Sequence, residues 1–148
     1  MQNLIIDCSK EIKTSIYDND SYDSITINSL NCLENKEIRP ILNECNRLLK
    51  KGEKIFISVI NAIGTVKAYL EERLDTSGFP KRYKYWSEEE IVFQMLYGKA
   101  DIFDNQLHKT GFSYSRLKRF LEECGFEITN VNDTTDSGQN LHVEAIKK

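Results

Sequence analysis

The clearest structural pattern in the sequence runs from Tyr22 to Asn61, in the segment YDSITINSLNCLENKEIRPILNECNRLLKKGEKIFISVIN. It begins with a β-branched segment, passes through a turn into a helix, and ends in a second β-branched and aromatic segment. A strand, a crossover helix and a second strand in this order predict a right-handed unit with two parallel strands. The apolar residues of the predicted helix recur at steps of three and four and therefore share one face: Ile38, Ile41, Leu42, Cys45, Leu48 and Leu49.

Proline and glycine set the predicted limits of this helix. Pro40 is tolerated in the first turn, where its missing N–H has no helical partner to lose. Gly52 is expected to end the helix, because glycine readily takes a positive φ. The strand that follows, KIFISVI, is almost continuously apolar, which predicts burial on both faces.

The remaining strands lie at the two ends of the chain. NLIID predicts a short parallel strand near residues 3–7, beside those near 22–28 and 54–60. FEITNVN and LHVEAIK, near 126–132 and 140–147, are separated by a polar segment with Gly138, which favours an antiparallel hairpin. The pattern predicts an α/β fold in which the first three strands are parallel and the two C-terminal strands are antiparallel.

Capping residues predict three further helices. Thr65 is expected to cap a helix that reaches about Leu74. Ser87 and Glu90 form the S-x-x-E signature of a capping box, which places a helix at 87–97. Ser113 is expected to cap the last helix, before the hairpin.

Composition excludes several classes of protein. The 148 residues suit one domain, and 40% hydrophobic with 29% charged residues is typical of globular proteins. The net charge of −3 gives no electrostatic basis for nucleic-acid binding. No apolar run approaches the roughly 18 residues of a membrane span, and the N-terminal run is too short for a signal peptide, so we expect a cytoplasmic protein. The four cysteines have no metal-ligand spacing, so no metal is expected.

Two segments resemble class I S-adenosylmethionine (SAM)-dependent methyltransferases. The segment QMLYGKADIFDNQLHKTGFSYSRLKRFLEECGF is similar to the C-terminal part of small members of that family. The resemblance runs from about Leu4 to the end and implies a truncated Rossmann-like methyltransferase sheet, helices on both faces, and SAM as cofactor. In the central stretch, these residues occupy family positions: Asp23, Leu42, Glu44, Arg47, Leu49, Lys50, Gly52 and Ser58.

The family's glycine-rich cofactor loop is not found in this sequence. That loop follows the first strand of the family fold, and no two of the seven glycines here are close enough to form one. In family terms the chain begins just before the third strand. We therefore expect a single methyltransferase-like domain, 1–148, without the first strand–helix–strand unit.

The resemblance also implies a cofactor site at the carboxyl ends of the parallel strands, where ligands of open α/β sheets bind. Asp7 and Cys8 match the position that meets the adenine ring, and Asn28, Ser29 and Leu30 match the loop that lines the methyl donor. The alternative is that these residues only cap strand ends and turns.

His108 is the candidate catalytic base. Imidazole titrates near neutral pH and could accept a proton from a hydroxyl or amine being methylated, with Asp101 or Asp104 orienting the ring. The alternative is that His108 binds a loop carbonyl and holds the loop ahead of Ser113.

Two functions follow. The first is SAM-dependent methyl transfer to a small molecule or sugar, which we do not expect from the isolated chain. The alternative is a non-catalytic methyltransferase-like module for binding or assembly. We also expect a homodimer, because a sheet without its first unit exposes an edge and an apolar face, with Phe79 to Trp86 as part of the contact.

Overall fold

A computed structural model of the chain describes residues 1–74, 87–98, 107–133 and 140–148. A short 3-10 turn, Leu30–Cys32, follows the second strand. In chain order the elements are β1 (Asn3–Asp7), β2 (Tyr22–Asn28), α1 (Asn35–Leu48), β3 (Leu49–Ile60), α2 (Ala62–Leu70), α3 (Glu88–Tyr97), α4 (Tyr114–Glu123), β4 (Phe126–Asp133) and β5 (Asn140–Lys147).

The five strands form one mixed sheet in the order β1-β2-β3-β5-β4. β1, β2 and β3 are parallel, whereas β5 runs antiparallel to both β3 and β4. The predicted parallel unit and C-terminal antiparallel pair are therefore confirmed, and the architecture is a truncated Rossmann-like α/β sheet. Gly138 and the rest of the predicted hairpin turn lie outside the described residues.

One face of the sheet forms the core with α1 and α4. Alternate strand residues point to these helices, and the two helices are linked by Arg39, whose Nη2 lies 2.6 Å from a carboxylate oxygen of Glu123. Because the period of a strand is two, every second residue enters this layer. The fully buried residues include Ile25, Ile27, Ile55, Leu141 and Ala145 from strands and Ile38, Leu42, Leu48, Leu117 and Leu121 from helices.

The opposite face is more open than the sequence predicted. Phe56 and Ser58 are only half-buried, and His142 on the neighbouring strand is exposed. Burial of β3 on both faces was therefore a wrong prediction, because Lys54 and Ser58 alternate with the buried isoleucines. Of the four described helices, α1 and α4 pack on the buried face.

Helix α1 begins earlier than its proline suggested. Glu34 is the N-cap and forms a capping box with Glu37, whose Oε2 accepts the Glu34 N–H at 2.7 Å. Pro40 therefore lies in the second turn instead of the first. Gly52 does not end the helix; it has φ +79° within the irregular start of β3, where the pairing with β2 shifts register.

The three predicted caps had different outcomes. Ser87 Oγ accepts the Glu90 N–H at 3.2 Å, and Ser113 Oγ accepts the Arg116 N–H at 3.3 Å, so both are confirmed. Thr65 is not a cap: α2 begins at Ala62, and Asn61 Oδ1 accepts the Gly64 N–H at 2.9 Å. No helix in the described part of the chain is long and apolar enough to cross a membrane.

Candidate functional site

A polar cleft of about 240 Å³ lies at the carboxyl ends of β2 and β3. This edge is where ligands bind open α/β sheets, because the loops after parallel strands diverge there. Its lining comes from four separate parts of the sequence: Asn28, Ser29 and Asn31; Ser58, Val59 and Ile60; His108; and Asn140. The described lining contains amides, hydroxyls and one imidazole, with no carboxylate, lysine or arginine.

The backbone at Ser29 shapes one wall of this cleft. Ser29 has φ 60° and ψ 31°, the left-handed region that non-glycine residues enter at a cost of roughly 1–2 kcal/mol. Its carbonyl accepts the Cys32 N–H at 2.8 Å and closes the 3-10 turn. The chain therefore reverses directly after β2, with Asn28, Ser29 and Asn31 all on the cleft.

Hydrogen bonds bring His108 to the same cleft. The Asn31 carbonyl accepts the backbone N–H groups of Lys109 at 2.8 Å and Thr110 at 3.2 Å. On its other side, the His108 N–H donates to Tyr97 O at 2.9 Å. The segment carrying His108 is therefore held between the end of α3 and the turn after β2.

The His108 ring is held in one tautomer. Its Nδ1 lies 2.9 Å from Met95 O. A carbonyl oxygen can only accept, so Nδ1 carries the proton of the neutral ring and Nε2 is the basic nitrogen. The structure thus contains the carbonyl contact expected for a structural histidine, and that same contact fixes the tautomer a general base would need.

Asp7 is engaged by its own loop. One carboxylate oxygen accepts from Ser9 N at 3.0 Å and Ser9 Oγ at 2.6 Å, and Lys10 Nζ lies 3.3 Å from the other. The Ser9 hydroxyl, as the largest cause, lowers the pKa of Asp7 from its ordinary value. These contacts are those of a turn cap.

Cys8 and Leu30 are core residues. Cys8 is 5% exposed, and burial raises the pKa of its thiol to about 12. The Leu30 side chain is fully buried under the 3-10 turn. Neither side chain lines the cleft, and the same is true of Asp7.

The predicted site residues therefore do not all lie in one place. Asn28, Ser29 and His108 line one cleft, whereas Asp101 and Asp104 lie outside the described residues. Three polar lining residues were not predicted from the sequence: Asn31, Ser58 and Asn140. Ser58 could have been found, because it lies at a family position near the end of a strand.

No family model matches the chain, and no curated protein matches it. Solved structures do match it. The chain aligns over 93% of its length with a possible exported protein from Bordetella parapertussis, at 17% identity and a TM-score of 0.58. It aligns over 95% with a SAM-dependent methyltransferase from Methanosarcina mazei, at 20% identity and a TM-score of 0.54. It also aligns over 95% with the 1,6-didemethyltoxoflavin-N1-methyltransferase of Burkholderia thailandensis, solved with bound 1,6-didemethyltoxoflavin and S-adenosylhomocysteine, at 14% identity and a TM-score of 0.53.

These similarities establish a class I methyltransferase-like fold for the chain. The chain spans 42%, 64% and 48% of the three matched proteins, less than two thirds of each. The resemblance read from the sequence is therefore confirmed at the level of the fold.

The described residues do not fit a complete SAM molecule. Sites that enclose a drug-sized ligand are usually about 300–1,000 Å³, and the cleft is smaller. Of the five residues matched to cofactor positions, only Asn28 and Ser29 line it. Among the described residues, no group of three or more histidines, cysteines or acidic residues is placed to hold a metal.

Proposed function

We propose that this chain is a methyltransferase-like protein that binds a small polar molecule in the strand-end cleft. We propose further that it transfers no methyl group alone. In this proposal the acceptor is a small molecule or sugar, and the remaining SAM contacts are made by residues outside this cleft. One observation carries the proposal: residues matched to the methyl-donor loop, Asn28 and Ser29, line the same cleft as the candidate base His108.

The chemistry of the lining supports a neutral ligand. The amides of Asn28, Asn31 and Asn140 can both donate and accept hydrogen bonds, and Ser29 and Ser58 add hydroxyls. With Nδ1 held by Met95 O, Nε2 of His108 is the ring atom able to accept a proton from a bound hydroxyl or amine.

A titration of the isotope-labelled chain with S-adenosylhomocysteine tests the proposal, with backbone amide shifts as the readout. We expect saturable shifts at residues 28–31 and 107–110, with a dissociation constant of about 1 mM because the cleft accommodates only part of the molecule. Asn28→Ala should weaken these shifts. Asn43→Ala, at an exposed position on α1, is the matched control and should leave them unchanged.

Two other results would overturn this proposal. Micromolar affinity, or stoichiometric SAM in the purified protein, would mean that the chain completes a cofactor site alone. An absence of saturable shifts at the cleft would refute ligand binding there and favour the non-catalytic assembly module. The bond from His108 to Met95 O favours that second function, because it gives the histidine a structural role.

A homodimer and a cytoplasmic location are also part of the proposal. The outer edge of β1 is at the end of the sheet, and Ile5 on that strand is 69% exposed. The segment Phe79 to Trp86, the candidate contact, lies outside the described residues.

All four cysteines are free and buried, which suits a reducing compartment, and cell fractionation tests the location.

A further inference from the structure

The open face of the sheet carries a second cavity, larger than the strand-end cleft. Its volume is about 360 Å³, within the range of small-molecule sites. It lies on the face opposite α1 and α4, across strands β2, β3, β5 and β4. Its floor includes Phe56 at the centre of β3, and the cavity meets the strand-end cleft only at Ser58.

Strand register explains how this groove is built. Thr26, Phe56 and Glu144 lie opposite one another on adjacent strands, and Asn130 continues that row onto β4. A second row runs through Ser58, His142 and Asn132. With neighbouring strands about 4.8 Å apart, a row of four strands gives a groove roughly 14 Å long.

The groove differs from the core face in its chemistry. A face meant to meet a helical layer carries aliphatic residues, as the row of Ile55 and its neighbours does. Here one aromatic ring is surrounded by hydroxyl, amide and imidazole groups. Within the described part of the chain, no hydrogen bond engages five of these side chains: Thr26, Ser58, Asn130, Asn132 and His142.

Charge limits the kind of ligand. Glu144 is the acidic residue of the groove, and Lys54 Nζ lies 3.2 Å from its Oε2. An anion such as a phosphate would be repelled by this carboxylate. The described lining residues include no unpaired cation that could offset the repulsion. A cation would find the carboxylate already neutralised. The groove therefore suits a neutral ligand with many hydroxyl groups and an apolar ring face.

We propose that this groove binds a short neutral oligosaccharide, with one sugar ring packed on Phe56 and its hydroxyls bonded to the surrounding side chains. The apolar C–H face of a sugar ring matches an aromatic ring, while its hydroxyls match groups that donate and accept. This groove shares only Ser58 with the proposed cofactor cleft, and neither proposal depends on the other.

The test is a titration of the isotope-labelled chain with four neutral disaccharides in turn: cellobiose, maltose, lactose and chitobiose. At least one should give saturable shifts at residues 54–58 and 142–144, with a dissociation constant of about 1 mM. Phe56→Leu keeps apolar volume but removes the ring, and it should weaken binding about tenfold. Phe93→Leu, at an aromatic residue 55% exposed on α3, is the control and should bind as the parent does.

Melting curves of both variants verify that they fold. Three results would overturn the proposal: no saturable shifts at this face with any of the four sugars, unchanged affinity in a folded Phe56→Leu variant, or shifts at this face with adenosine monophosphate but not with a sugar. Because the sugar shifts are read at 54–58 and 142–144, a failure here leaves the S-adenosylhomocysteine result at 28–31 and 107–110 intact.

Discussion

His108 Nδ1 donates a hydrogen bond to the carbonyl oxygen of Met95 across 2.9 Å. The bond joins the segment that carries His108 to the last turn of α3. His108→Ala would leave that carbonyl without this donor, so we predict a loss of about 1 kcal/mol in the free energy of unfolding. His108→Asn can keep a donor near Met95 and should recover part of the loss. Equal stability of the alanine variant and the parent in urea would contradict this structural role.

The N-cap of α3 gives a second prediction. Ser87 Oγ accepts the Glu90 N–H, and Glu90 Oε2 accepts the Ser87 N–H at 2.6 Å. Ser87→Ala should lower the free energy of unfolding by about 1 kcal/mol, because a backbone donor loses its partner. Ser87→Asp retains an acceptor and should stay close to the parent. A thermal melt unchanged by Ser87→Ala would argue against the cap.

Asp7 gives a prediction about pH. The Ser9 hydroxyl holds the pKa of Asp7 below its ordinary value of 3.8, so the unfolded chain takes up this proton first as the pH falls. The carboxylate therefore contributes stability above about pH 4, and that contribution is lost as the pH falls through the lower folded pKa. The stability difference between the parent and Asp7→Asn should be constant from about pH 5 to 8 and should shrink below pH 4.

Ser9→Ala is the control for that experiment. It removes the side-chain donor to Asp7, so the difference between Ser9→Ala and the parent should also shrink in acid. Urea unfolding measured at a series of pH values provides both comparisons. A difference between the parent and Asp7→Asn that grows in acid would reverse the assigned direction.

The cysteines should be unreactive in the folded protein. Each of the four is buried, with exposures between 0% for Cys45 and 7% for Cys32. Burial raises the pKa of Cys8 to about 12, so roughly one thiol in 10,000 is ionised at pH 8. We predict that Ellman's reagent labels all four only after denaturant is added. Rapid labelling of native protein would show that a thiol is accessible.

The proposed dimer is tested by light scattering at micromolar protein concentration. A mass near 17.2 kDa would reject it, and twice that mass would support it. If β1 contributes to the contact, Ile5→Lys should shift the protein towards monomer. Ile16→Lys changes a similarly exposed isoleucine outside any strand, at 75% exposure, and should leave the mass unchanged.

Local signals predicted most of the fold. The bounds of β1 and β2 and the caps Ser87 and Ser113 were correct, because alternation and capping depend on neighbouring residues. Thr65 was predicted to cap α2, and residue type alone does not distinguish it from Asn61. Both residue types cap helices. The structure shows that both side chains are buried and that Asn61 Oδ1 accepts the Gly64 N–H.

The site was predicted less completely than the fold, because part of its lining is brought together by pairing between distant segments. Asn28 ends β2 and Ser29 follows it directly, so their place at the sheet edge could be predicted. Asn140 reaches that edge because β5 runs antiparallel to β3, which places it opposite Ile60. A pairing between residues this distant in sequence has no signature in either segment alone.

The pairing of β3 with β5 has a consequence for synthesis on the ribosome. Lys54 and Glu144, an ion pair on these strands, are separated by 90 residues. Until β5 leaves the exit tunnel, β3 has an unsatisfied edge next to aliphatic side chains that pack against α4 in the folded chain. The nascent chain therefore completes its sheet only after β5 has emerged, and until then it should be a substrate for chaperones that bind extended apolar segments.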